Sequence, residues 1–203
     1  MKIRLTRDEL KRQRDALSRF QRYLPILEVK KKQLQMEILH QELLLERKRE
    51  EAKKKKEQIL NWAGLLADSG LDLKPWILPQ KRLYTTKNIA GIDIPYLEKL
   101  EFSPVDYDLF LVPLWVDYAL DALKEWVSLR AEVANLEEII AILKEELRIT
   151  TQRVNLFEKI KIPQAEEAIR VIKIYLGDQM ANAVARSKLA KKKLEEYEEA
   201  VIR

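Results

Sequence analysis

The chain has 203 residues, of which 35% are charged and 47% are hydrophobic, and its net charge is +5. Four glycines and seven prolines are too few for the many turns of a β-sandwich or barrel, so the composition favours long helices. No run approaches the ~20 apolar residues of a membrane span, the first residues lack the apolar core of a signal peptide, and the absence of cysteine excludes disulfides and fits a cytosolic protein.

The first predicted element is a long helical arm over residues 6–61. Thr6 followed by Glu9 matches a capping box, which marks a helix start. Apolar side chains then recur every seven residues, as in the seam of a coiled coil. The residues assigned to this seam are Leu17, Leu24, Leu34, Ile38 and Leu45. Pro25 lies inside the repeat and is expected to kink the helix, because proline removes one backbone hydrogen bond.

The predicted middle segment covers residues 62–113 and holds most of the prolines and glycines, so it is expected to be compact and irregular. Residues 87–94 alternate between apolar and polar as a short strand does, and residues 97–102 are its expected hairpin partner. Four tryptophans lie in or beside this segment: Trp62, Trp76, Trp115 and Trp126. They either build a small core or anchor a partner, and the core interpretation is favoured.

The second helical arm is predicted over residues 114–200, with Pro113 as a favourable first-turn residue. Its apolar positions alternate by three and four residues, which again defines a coiled-coil seam. The seam residues singled out are Val133, Ile140, Leu147, Val154 and Phe157. After Pro163 the apolar positions resume in a shifted phase, which predicts a bend or stutter there.

Two heptad arms joined by a compact middle segment predict a mostly α fold. We expect a long antiparallel two-helix coiled coil formed by the N- and C-terminal arms, with a short β-hairpin in the middle segment. A helix over residues 6–61 is about 80 Å long at about 1.5 Å per residue, which favours a rod over a globule.

The positive charge is concentrated in the first arm, where residues 1–60 carry 18 Lys and Arg against 10 Asp and Glu. The densest patch is residues 53–56, four consecutive lysines. Acidic residues interrupt the arm throughout, so a solvated helix surface is favoured over a contact with a polyanion. A basic coiled-coil protein that binds nucleic acid or an anionic membrane surface remains the alternative function.

Motifs for chemistry are absent from the sequence. There is no nucleotide-phosphate loop and no nucleophile elbow. We therefore expect no catalytic residues, no cofactor and no metal ligands. The single histidine, His40, is interpreted as a surface or packing residue, and Glu145 with Glu146 as surface charges.

One set of residues in the second arm resembles a known family. The set is Arg153, Asn155, Glu158, Ile162 and Pro163, followed by Arg186 and Lys188. This pattern of Arg-x-Asn-x-x-Glu, Ile-Pro and a basic tail resembles the D subunit of the V-type and A-type rotary ATPases. The basic residues 30–32 and the central residues 88–92 are similar to the corresponding regions of that family.

The resemblance implies a non-catalytic central-stalk rotor subunit of an ion-translocating ATPase or ATP synthase. The partners it implies are the catalytic and regulatory subunits of the ATPase hexamer, the small F subunit and the funnel-shaped subunit on the membrane ring. It implies no nucleic acid partner and no direct insertion into the membrane. The chain would lie on the cytoplasmic side, in the soluble sector of the complex, and other subunits would set the ion and the direction of the reaction.

Overall fold

The computed structural model describes residues 4–64, 73–104 and 113–201. The elements in chain order are α1 (Arg7–Leu60), α2 (Lys74–Ile77), β1 (Pro79–Ile89), β2 (Ile92–Phe102), α3 (Trp115–Leu156), a π-helical segment (Phe157–Lys161) and α4 (Ile162–Val201). The predicted fold class is confirmed, since two long helical arms flank one small antiparallel hairpin. Parts of the predicted middle segment, residues 65–72 and 105–112, lie outside the described residues.

The chain forms two compact units. Unit 1 combines Met1–Val29 with Thr150–Arg203, and unit 2 is Lys30–Ile149. Helix α1 contributes to both units, because its bounds cross the division at residue 29.

The start of α1 is set by Thr6, as the sequence predicts. The Thr6 hydroxyl accepts a hydrogen bond from the Glu9 backbone N–H at 3.3 Å, and its carbonyl accepts one from the Leu10 N–H at 3.0 Å. The Glu9 carboxylate does not complete the capping box; it accepts a hydrogen bond from the Gln13 side chain at 2.7 Å. Asp8 and Glu9 in the first turn favour this helix end, since they meet the positive end of the helix dipole.

Helix α1 continues without a break through Pro25 to Leu60. Pro25 cannot donate a hydrogen bond to the carbonyl of Gln21, four residues earlier. Both side chains lie on the exposed face of the helix, where water can serve the unpaired carbonyl. The helix therefore tolerates this proline, and the expected kink does not interrupt it.

Unit 1 pairs the first part of α1 with α4 in antiparallel fashion. The rings of Phe20 and Phe157 lie 5.2 Å apart between centroids, while Leu10, earlier in α1, lines a groove with Leu176, later in α4. The buried side chains of this unit are small as well as apolar, so the helices can approach closely. They are Val154, Ala165, Ala168, Ile169 and Ile172.

Unit 2 pairs the second part of α1 with α3 around one apolar cluster. Both helices and the hairpin contribute to it. Its buried members are Leu34, Ile38, Leu45, Ile94, Leu136, Ile139, Ile140 and Leu143. Ile94 of β2 is fully buried, so the hairpin packs directly on the helix pair of this unit.

The hairpin joins β1 and β2 through a two-residue turn at Ala90 and Gly91. Both residues have positive φ, 51° and 79°, which is the conformation of a type I′ turn. The Asn88 side chain supports the turn by accepting the Gly91 N–H at 3.2 Å and donating to Asp93 at 2.6 Å.

The predicted strand over residues 87–94 was wrong in its bounds, because the turn lies inside it. Ile89, Ile92 and Ile94 all pack on the helix pair, so apolar residues from both sides of the turn mimic one alternating strand. The hairpin partner predicted at residues 97–102 is the second half of β2, and it pairs with residues 79–84.

A second, smaller apolar cluster of unit 2 contains Leu73, Val116 and Leu120, with Trp76 and Trp115 packed against it. These two tryptophans fit the core interpretation. Helix α3 begins at Trp115, and the Pro113 carbonyl accepts the Val116 N–H at 3.0 Å. The predicted arm boundary at residue 114 therefore lies one residue before the helix.

Candidate functional site

The π-helical segment Phe157–Lys161 lies next to Pro163, where the sequence predicts a bend or stutter. The Ile162 backbone N–H donates to the Phe157 carbonyl, five residues earlier. Pro163 has no N–H for the carbonyl of Lys159, so a regular α-helical ladder cannot form here. A π turn holds one extra residue per turn, and this loop size accommodates the missing donor.

The extra residue explains the phase shift of the second seam. Continuing the three-four alternation beyond Phe157 would place the next apolar positions at 161, 164, 168 and 171. The structure instead has Ile162 half-buried, and Ala165, Ile169 and Ile172 buried, each one residue later. The π segment inserts one residue, so the stripe of unit 1 stays directed at α1.

The seam residues predicted for unit 1 all contact its interior to some degree. Val154 is buried, while Leu17, Leu24 and Phe157 are half-buried. Phe157 meets Phe20 at an interplanar angle of 35°. Aromatic pairs at this distance add to the stabilisation that burial provides.

The seam residues predicted for unit 2 follow the same pattern. Leu34, Ile38, Leu45 and Ile140 are buried. Val133 and Leu147 are half-buried and pack against the same cluster. Two polar residues share this interior, Gln41 in α1 and Asn135 in α3.

The residues that carry the family resemblance lie mostly on the outside of the helices. Arg153, Asn155, Glu158 and Pro163 are exposed around the π segment, and Ile162 is half-buried. Arg186 and Lys188 are also exposed, but they lie at least 23 residues further along α4, about 35 Å at the rise of a helix. The structure therefore does not join the two motif groups into one site.

The end of α4 is a helix without packing in the described structure. Every described side chain from Gly177 to Tyr197 is exposed. Hydrogen bonds along the helix include Arg186 Nε to the Asn182 carbonyl at 3.3 Å. We call residues 177–197 the exposed end of α4. Its length is about 30 Å.

Asn135 of α3 holds the hairpin in place and was missed by the sequence analysis. Its side-chain oxygen accepts the Leu97 backbone N–H at 3.0 Å, and its amide donates to the Pro95 carbonyl at 2.9 Å. It thus satisfies the edge of β2 that β1 leaves free. A lone asparagine between the seam residues Val133 and Leu136 is the signal that could have identified it.

We expect Asn135→Ala to loosen the hairpin. The substitution leaves a backbone donor and a backbone acceptor without their partner, at a cost of about 1–3 kcal/mol in the free energy of unfolding. Hydrogen exchange of the Leu97 amide should accelerate more than that of amides in α1. Asn155→Ala, at an exposed position in the second arm, is the matched control. Unchanged exchange at Leu97 would contradict the role assigned to Asn135.

Ion pairs cross between α1 and α3 in unit 2. The two lysines of α1 with measured contacts are Lys30, 2.8 Å from Glu146, and Lys48, 2.9 Å from Glu132. The other pairs are Arg49–Glu137, Glu42–Lys144 and Lys55–Glu125. The hydrogen bond to Glu132 raises the pKa of Lys48 above its ordinary value. Exposed pairs contribute little stability each, so their main effect is to fix the register of the helices.

Tyr96 gives the hairpin a pH response. Burial raises the pKa of its phenol above the ordinary value of 10.0, and the nearby Glu37 carboxylate acts in the same direction. The Lys87 ammonium lies 4.3 Å from the ring centre. Because the folded state favours the neutral phenol, its contribution to stability is present below pH 10 and is lost as the pH rises through the folded pKa.

We therefore expect alkaline titration to destabilise the hairpin above pH 10, as followed by phenolate absorbance together with thermal unfolding. Tyr96→Phe should remove this part of the loss, because phenylalanine does not ionise. Tyr84→Phe, on the exposed face of β1, should leave the curve as it is in the original chain. The same alkaline loss in both variants would exclude Tyr96 as its source.

The described residues contain no group of three or more His, Cys, Asp or Glu side chains placed to hold a metal ion. Glu145 and Glu146 are engaged in ion pairs with Arg148 and Lys30. The Arg148 guanidinium holds the pKa of Glu145 below its ordinary value. His40 is exposed. Over the described ranges, no helix is both long and apolar enough to span a membrane.

Paired heptad arms, a central hairpin and an exposed helix end define a coiled-coil component of a larger assembly. The family model for the ATP synthase D subunit matches residues 9–192. The chain belongs to this family of ATP synthase D subunits.

Its relatives are bacterial V-type ATP synthase D subunits. The protein from Borreliella burgdorferi is 43% identical over 193 residues, covering 95% of each chain. That from Chlamydia trachomatis serovar L2 is 30% identical over 202 residues, covering 97% of this chain and 98% of its own. That from Chlamydia caviae is 32% identical over 203 residues, covering 97% of this chain and 96% of its own. The D subunit is a non-catalytic component of the complex.

Proposed function

We propose that this chain is the central rotor shaft of a V-type ATP synthase and transmits torque between the catalytic hexamer and the membrane ring. The observation that carries the proposal is the exposed end of α4, residues 177–197, whose described side chains have no packing partner in the chain. A helix of this length that leaves apolar side chains such as Val184 and Leu189 in solvent is suited to a surrounding protein.

The side chains of this end suit a shaft that turns in a sleeve. Alanines such as Ala183 and Ala190 alternate with charged residues such as Lys188. A rotating contact has to be shallow at every angle, because one deep pocket would trap the shaft in a single orientation. We assign this end to the catalytic and regulatory subunits of the hexamer.

The rest of unit 1 supplies the stiffness that torque transmission needs. Its interior is a continuous seam through the π segment, with Phe20 against Phe157 and with Ile172 fully buried. Two helices that share such a seam resist bending and twisting better than one. This supports a load-bearing role for the paired helices.

We assign contacts with the small F subunit and with the funnel-shaped subunit on the membrane ring to unit 2. The face of β1 supports this assignment, since residues 80–88 are all exposed and include Leu83 and Tyr84. A complex of this kind places the chain in the soluble sector, on the cytoplasmic side of the membrane.

Rotation can be observed directly in the assembled hexamer. The chain has no cysteine, so Thr86→Cys on the exposed strand β1 provides one attachment point for a bead. With the hexamer fixed to a surface, the bead should turn in one direction when ATP is added. A bead attached to a catalytic subunit is the control and should stay still. Steady hydrolysis by complexes whose Thr86→Cys bead never turns would refute the proposal.

A further inference from the structure

Two of the ion pairs between α1 and α3 lie on one flank of unit 2 and follow the heptad repeat. Lys144 lies 2.7 Å from Glu42, and Arg49 lies 2.6 Å from Glu137. Moving from the first pair to the second, α1 advances by seven residues and α3 goes back by seven, as expected for antiparallel helices. The positions that face each other across this flank are thereby defined.

One further heptad brings Lys56 opposite Arg130. This position of the flank pairs opposite charges in the two preceding heptads, but here both side chains are positive. Like charges at facing positions of a coiled coil repel each other and weaken the pairing of the helices. Lys53, one turn before Lys56 on the same face of α1, adds a third positive charge.

The three cations border a groove of about 340 Å³ between the helices. Its base is formed by small and apolar side chains, namely Ala52, Ala134 and Trp126. The Arg130 guanidinium lies 5.8 Å from the Trp126 ring centre, in the range of a cation–π contact. The groove therefore combines an apolar base with a positively charged edge.

No carboxylate in the described residues neutralises this edge. Glu137, at one end of the groove, is already paired with Arg49. Glu50 and Glu57, each within one turn of Lys53 on α1, do not line the groove and form no ion pair with the described residues. The excess charge is thus a feature of this groove, whereas the lysines on the other flank have glutamate partners.

We propose that this groove binds an acidic amphipathic helix of a partner protein in the complex. The small side chains at Ala52 and Ala134 permit close approach of a third helix, as in the packing of a helix against a helix pair. Glu or Asp side chains three or four residues apart on that helix would meet Lys53, Lys56 and Arg130. The inference goes beyond the proposed rotor role and holds whether or not the chain rotates.

The geometry favours an acidic helix over nucleic acid. A polynucleotide is held by an extended positive surface that contacts several phosphates. Here the positive edge covers about two helical turns and ends at the Arg49–Glu137 pair. The apolar base needs apolar side chains to cover it, and an amphipathic helix supplies them.

The first test uses the full chain and a synthetic helical peptide of about three heptads, with leucines on one face and glutamates on the other. Binding is measured by calorimetry and by tryptophan fluorescence. Arg130→Glu creates a Lys56–Glu pair in the chain and removes charge from the groove. It should weaken peptide binding by about tenfold or more, while the melting temperature rises by about 1–3 °C.

Lys56→Glu should act in the same way, since it completes the pair from the other helix. Lys54→Glu changes the net charge equally, but Lys54 does not line the groove, so binding should stay within about twofold. Equal affinity of the original chain and Arg130→Glu for the peptide overturns the proposal. So does tighter binding of a lysine version of the peptide or of a short duplex DNA.

The second test uses the assembled complex. A photo-crosslinking amino acid in place of Ala134 should attach to a helical segment with net negative charge, identified by mass spectrometry. Arg130→Glu should lower the yield of this product, and a crosslinker at the exposed Leu39 should not form it. Attachment to a neutral or basic segment, or no product at all, overturns the proposal.

Discussion

Locking the exposed end of α4 to the catalytic hexamer should reduce sustained ATP hydrolysis to background. Ala190→Cys introduces a single cysteine into a chain that has none, at an exposed position of α4. Oxidation to a second cysteine in the surrounding protein would form a covalent link. If the catalytic sites act in turn as the shaft rotates, a fixed shaft stops the cycle after the first turnover, although nucleotide still binds.

Reduction of this disulfide should restore the full rate, which separates locking from damage. Ala190→Cys without the second cysteine is the matched control, and its rate should not respond to the oxidant. Steady-state hydrolysis at the full rate in the crosslinked complex would mean that rotation of this chain is not obligatory. The proposed rotor role would then fail, whereas membership of the family would stand on its own evidence.

Leu143→Ala should be the most damaging single truncation in unit 2. Leu143 is fully buried in the cluster that joins α1, α3 and the hairpin. Loss of its side chain removes buried apolar surface and leaves a cavity, at a cost of about 2–5 kcal/mol in the free energy of unfolding. Chemical denaturation of the full chain, followed by circular dichroism, measures this change.

Leu39→Ala is the matched control, since the same side chain is removed from a helix but Leu39 is 60% exposed. Both substitutions change helix propensity by the same amount, so the difference between them isolates burial. We expect Leu39→Ala to change stability by less than about 0.5 kcal/mol. Similar effects at the two positions would show that the seam has a different phase.

The heptad pattern predicts the helical arms because burial on a helix recurs with the helical period. Leu34, Ile38 and Leu45 are spaced so that one stripe is apolar, and all three are buried. The start of α1 could also be predicted, since Thr6 caps the helix through atoms only three residues apart. Such features depend on neighbours in sequence, so the sequence alone determines them.

The π segment was only partly predictable. The one-residue shift of the apolar stripe after Phe157 is visible in the sequence, and Pro163 marks the place. A bend, a stutter and a π turn can each absorb such a shift. The hydrogen bond from Ile162 to Phe157 distinguishes the π turn, and it requires backbone coordinates.

The sequence by itself determined the helical arms, the central hairpin and the family resemblance. Tertiary structure decided the features that depend on which distant residues face each other. Asn135 holds β2 through backbone atoms about 40 positions away in sequence, and Lys56 faces Arg130 because the helices pair in one register. A heptad repeat looks the same after a shift of seven residues, so it specifies which stripe is buried but not which residue lies opposite. Ion pairs and hairpin contacts select one register, and they exist only in the folded chain.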